Sequence, residues 1–169
     1  MKITPMKQAI FVMMIAAGLL SACNNDRAGE STESADFTTQ NLIADTIYYP
    51  VRIKNIDAND EWAAQRLKNL NHQKLVDDIF NAIYANKAQA FNYLTDARVD
   101  AKTIQDQETD GTIKRADIVE LEFRETWWYN TDRSVFKKEV QSILVASALY
   151  DSDGSMRGMK ALFYVKMGK

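Results

Sequence analysis

The segment IVELEFRETWWYN, residues 118–130, constrains the fold more than any other stretch. Val119, Leu121, Phe123, Trp127 and Tyr129 fall on one face, and Glu120, Glu122, Arg124 and Thr126 on the other. A repeat of two is the signature of a strand with one buried face, and a helix cannot satisfy it. NTDRS supplies a turn, and VFKKEVQSILVASALY, residues 135–150, continues as a second strand. Its later half is apolar on both faces, as a central strand requires. DSDGS, residues 151–155, carries the Asp-Gly pair of a hairpin, and MKALFYVKM, residues 159–167, reads as the next strand.

Such strands need a layer to cover their apolar side, and the middle of the chain supplies helical patterns. NDEWAAQRLKNL begins with Asn59 or Asp60 as cap and places acids in its first turn. In NHQKLVDDIFNAIYANK, capped by Asn71, the residues Leu75, Val76, Ile79, Phe80, Ile83 and Tyr84 form one wide apolar stripe. Burying six such side chains is worth roughly 9–18 kcal/mol before entropy. TIYYPVRIKNID, residues 46–57, is strand-like, but Pro50 lacks a donor and belongs on an edge. AQAFNYL, residues 88–94, reads as a short strand. The fold class expected is α+β, with two N-terminal helices packed on a mainly antiparallel sheet that ends in a three-stranded meander.

The first 36 residues read differently. Lys2 and Lys7 precede an apolar run, AIFVMMIAAGLL, of the length of a signal-peptide core and too short for a stable bilayer span. It runs into LSAC, residues 20–23, and Cys23 is the only cysteine. That arrangement resembles a bacterial lipobox, so residues 1–22 are expected to be a lipoprotein signal peptide and Cys23 the lipidated residue. Several acyl chains, palmitate among them, give stable anchoring at about 0.8 kcal/mol per buried CH₂. Asn24 rather than Asp follows the cysteine, which by the lipoprotein sorting pattern implies the outer membrane. Residues 24–36, NNDRAGESTESAD, have the composition of a tether. The domain organisation expected is a leader over 1–22, lipidated cysteine and tether over 23–36, and a single α+β domain over 37–169.

Chemistry is sparse. One His and one Cys exclude the usual zinc constellations and any disulfide framework, and the formal net charge of −2 gives no basic field for nucleic acid. DQETDGTIKRAD, residues 106–117, mimics a calcium loop with Asp106, Glu108, Asp110 and Asp117 at liganding positions and Gly111 at the turn. Its third position is Glu, its twelfth is Asp rather than the bidentate Glu, and a strand pattern follows it. An acidic loop leading into the strand at Ile118 is the better reading, and calcium the weaker one. His72 falls on or near the polar side of its helix and is expected to be a surface residue. Asp77–Asp78 and Glu120/Glu122 lie on solvated faces, so no catalytic residue, cofactor or metal is expected. In Trp127–Trp128–Tyr129, one Trp should enter the core while Trp128 points the opposite way. There it is either a contact anchor for a partner or a second covered side chain.

The block from Glu125 to Met167 resembles the C-terminal part of the GldN/PorN proteins of the gliding-motility and type IX secretion machinery. The similarity lies in Glu125-x-Trp127, the charged turn Thr131–Ser134, Gly154-x-x-Arg157-Gly158, and the closing Leu162, Phe163, Val165 and Met167. The helix and short strand from residue 71 onward are similar too. A Trp- and Arg-rich N-terminal segment usual in that family is missing, and its members usually carry an ordinary signal peptide. The resemblance implies a non-enzymatic scaffold or accessory subunit of a cell-envelope machine, at the periplasmic face of the outer membrane, with other envelope proteins as partners. A lipid-tethered module holding a small ligand or peptide between helix and sheet is the alternative.

Overall fold

The computed structural model describes residues 37–167, so Cys23, the leader and the tether lie outside the described residues. The described residues build one six-stranded sheet with three α-helices. Strand β1 is Leu42–Arg52, followed by helices α1 (Glu61–Leu67) and α2 (His72–Tyr84). Short strands β2 (Gln89–Phe91) and β3 (Arg98–Val99) lead to helix α3 (Ala101–Thr109). Long strands β4 (Ile118–Asn130), β5 (Val135–Tyr150) and β6 (Met156–Lys166) complete it. The sheet order is β1-β4-β5-β6-β2-β3, and every pairing is antiparallel.

This corrects the expected α+β architecture in three ways. The helices are not N-terminal to the sheet, because β1 precedes them and pairs with β4 across the intervening chain. A third helix, α3, forms where an acidic loop was expected. The three long strands do not end the sheet either, since β2 and β3 add beyond β6 and β1 covers β4. Edge backbone left unpaired is costly, so β1 and β2, both strand-like in sequence, pair onto β4 and β6 from far along the chain, and the two-residue β3 adds to β2. Helix α3 buries Ile104 without an apolar stripe to mark it.

Local chemistry explains the element ends. Asp60 Oδ1 accepts from the Ala63 N–H at 2.8 Å, and Asn71 Oδ1 from the Lys74 N–H at 3.0 Å, so both helices start on side-chain caps. Pro50 sits in β1, an edge strand, where a missing donor is tolerated. The β5–β6 turn closes over Asp151–Ser155 with Gly154 at φ +83°, a conformation that favours glycine.

The core lies between the helices and one face of the sheet. Val76, Phe80 and Ile83 of α2, with Ile104 of α3 and Ile113, pack against Ile53, Leu121, Val145, Phe163 and Val165. Phe80 and Phe163 meet edge to face at 5.5 Å between centroids. The rim of this layer is closed by Arg115, whose guanidinium lies 4.6 Å above the Phe80 ring. It holds Glu108 at 2.5 Å and Asp77 at 2.8 Å, and Tyr84 donates to the same Glu108 carboxylate. One cation therefore clamps α2, α3 and the 3-10 turn Arg115–Asp117 together.

Candidate functional site

The two faces of the sheet differ. Beyond the core cluster, on the same face, β4 and β5 carry a cluster built around Glu125. That residue is 4% exposed although it is an acid on the apolar side of the strand. Tyr49 OH donates to Oε1 at 2.8 Å and Trp127 Nε1 donates to Oε2 at 2.7 Å, while Lys138 Nζ stands 3.7 Å away. The same ammonium lies 4.4 Å from the centre of the Trp127 ring. Burial, and then the hydrogen bond to Glu125, push the Tyr49 phenol up to about 12. Both Glu125 oxygens are occupied, so the group orients aromatic rings and is not held free for proton transfer. Glu125 was not singled out as a buried group from sequence. The available signal was a lone acid at an apolar position two residues before a Trp.

Trp127 was expected to enter the core. It is half-buried in this polar-aromatic cluster instead, edge-on to Phe136 at 5.5 Å. Tyr129 is 38% exposed. Trp128 points to the opposite face, half-buried, with Lys137 Nζ 4.7 Å from its ring centre.

That opposite face carries an open trough of about 980 Å³. Trp128 and the N-terminal segment Phe37–Thr39 wall one end, and Thr126, Gln141 and Ser142 lie along it. A bulge sets this up. Arg124 pairs with Ser142 but Glu125 pairs with Val140, so Gln141 is the extra residue on β5. Its amide donates to Thr126 Oγ1, which in turn donates to the Asp45 carbonyl at 2.7 Å. A smaller hollow of about 310 Å³, lined by Tyr48, Tyr93, Leu94 and Glu122, continues the trough and shares Arg124, Ser142 and Tyr164 with it. Trp128 thus forms the wall of a surface groove, neither free in solvent nor sealed in a core.

The remaining candidates disperse. Asp106 pairs with Lys102 on α3 at 2.8 Å, Glu108 is held by Arg115, Asp110 accepts from the Thr112 N–H at 2.8 Å, and Asp117 lies in the 3-10 turn. The first two belong to a helix, which no liganding loop could contain. Among the described residues no group of three or more His, Cys, Asp or Glu side chains is placed to hold a metal. His72 is half-buried, against the expectation of a surface residue. Its Nε2 lies 2.7 Å from the Ile118 carbonyl and docks the start of α2 onto β4. Asp77 is half-buried as well, because Arg115 reaches it, and that hydrogen bond holds its carboxyl below the usual range. Trp62, 79% exposed on α1, attracted no attention in the sequence. No helix among the described residues is long and apolar enough to cross a membrane. The sequence matches no protein-family model and no curated protein.

Proposed function

We propose that the chain is an outer-membrane lipoprotein, anchored through Cys23 on the periplasmic side, whose folded body is a non-enzymatic docking or scaffold subunit of a cell-envelope assembly. The observation that carries this reading is the asymmetry of the sheet. One face is closed by α2 and α3 over Phe80 and Phe163, while the other is open along a trough edged by Trp128, Tyr164 and Tyr48. A strand-borne Trp beside a groove is the kind of residue that anchors an interface. The LSAC sequence supports the lipid anchor, and the resemblance of the Glu125–Met167 block supports a secretion or motility machine as the setting. In the test, a photo-crosslinking residue replaces Trp128 in cells, and adducts are recovered from detergent-solubilised membranes. Envelope-protein adducts at position 128, absent with the crosslinker at position 62, are expected. Recovery of the protein alone overturns the docking role.

A second reading, a ligand-binding module, keeps one supporting observation. The space between helix and sheet is occupied by Phe80, Ile104, Phe163 and their neighbours. The open trough, by contrast, has a volume in the range of ligand clefts.

A further inference from the structure

Tyr48, Arg124, Ser142 and Lys166 are successive cross-strand neighbours on β1, β4, β5 and β6, so their side chains form one row across the open face. The row can donate hydrogen bonds from every member. Lys166 is engaged by Asp96 at 3.5 Å and lies over the Phe91 ring at 4.0 Å. Arg124 differs. Among the described residues its guanidinium has no hydrogen bond and no ion pair, and its contact is with the Tyr48 ring, 5.8 Å from the centroid. It is the residue common to both hollows, together with Ser142 and Tyr164. Ser142 is 9% exposed, and its hydroxyl makes no side-chain hydrogen bond among the described residues.

A planar fork of donors without an acceptor matches a carboxylate bound through two parallel hydrogen bonds. A buried-side hydroxyl next to it can donate a third. Acids border the same ground, with Asp45 and Glu139 in the trough and Glu122 and Asp96 in the hollow. They exclude a polyanion and leave room for one negative charge, at Arg124. Trp128 stands four residues further along β4 on the same face and offers a ring to an apolar or aromatic neighbour of that charge. The trough is open and its lining runs across β1, β4, β5 and β6, which suits an extended chain more than an enclosed small molecule. We propose that the trough binds an extended peptide segment of a partner, with a single carboxylate on Arg124 and Ser142 and an aromatic side chain against Trp128. This rests on the docking reading above and names the chemistry that the docking face selects.

The mature chain is purified in detergent, its N-terminal mass is recorded, and a displayed library of random heptapeptides is selected on the wild type and on Arg124→Gln. Enrichment of peptides with one Asp or Glu close to an aromatic residue is expected. Binding of a synthetic peptide from that pool should fall about ten- to hundredfold in Arg124→Gln, the range for one charge-assisted contact. Arg133→Gln, in the β4–β5 turn, should bind as the wild type does. In a Trp62→Phe, Trp127→Phe background the fluorescence of Trp128 should respond to the peptide. Enriched peptides lacking a carboxylate, or equal retention by Arg124→Gln, overturn the proposal. An unacylated N-terminus with peptide selectivity intact supports the site and removes only the anchored location.

Discussion

The same pair of strands, β4 and β5, serves two regions built on opposite rules. Where Leu121 and Val145 face the helices, the region is sealed by aliphatic and aromatic packing and its charges are kept at the rim by Arg115. Further along, at Trp127 and Phe136, the rings are half-buried or exposed, and Trp127 and its neighbour Tyr49 are held by hydrogen bonds to one buried carboxylate and by Lys138 lying over their faces. Hydrophobic packing holds side chains without regard to direction. A carboxylate with two fixed donors sets ring direction at small cost in burial. The first region therefore supplies stability and the second supplies an oriented surface.

That division is open to direct attack. Phe80→Ala should lose about 3–5 kcal/mol in denaturant unfolding, since it empties the centre of the sealed region and removes the platform under Arg115. Glu125→Ala should cost less, about 2–3 kcal/mol, because Tyr49 and Trp127 lose a charged acceptor. Glu125→Gln, which keeps one acceptor, should recover much of it. Equal losses for Phe80→Ala and Glu125→Ala would erase the distinction between the regions.

Titration separates the two regions further. Tyr49 in the Glu125 cluster and Tyr84 beside Arg115 are both pushed up to about 12, first by burial and then by bonds to Glu125 and Glu108. Their raised folded values mean that the stabilisation is complete below the ordinary 10.0 and is lost as pH rises towards about 12. Phenolate absorbance should show both titrating late, and Glu125→Gln should advance Tyr49 alone. On the acid side, burial raises the Glu108 carboxyl, but the stronger pull of Arg115 and Tyr84 holds it below its ordinary 4.5. The unfolded chain then takes up its proton first, so stability falls as pH drops below about 4.5, and Arg115→Met should flatten that slope. The smallest effect belongs to Trp62→Ala, within about 0.5 kcal/mol, because 79% of that side chain is already in water.

The sealed region was the more legible from sequence. The stripe from Leu75 to Tyr84 names the helix that carries Phe80, and Asp60 and Asn71 mark helix starts through their own side chains. Pro50 announces an edge for a local reason, its missing donor. Helix α3 escaped because it buries Ile104 without forming a stripe. Its remaining signals, Asp100 ahead of it and the Lys102–Asp106 pair, look alike in a loop. The placement of β2 and β3 beyond β6 depends on partners some seventy residues away, a distance over which no periodicity carries information. The trough was illegible for the same reason. Arg124, Ser142 and Lys166 come from three strands, and only register brings them into one row.

Residues 135–140 of β5 pair with β4 on one side, whereas the β5–β6 ladder starts at Ser142. A strand margin left unpaired among the described residues invites copies of a chain to anneal into ribbons. Lys137 and Lys138 occupy the middle of that margin and would bring like charges together in any such encounter. Copies can then come close without annealing along this margin.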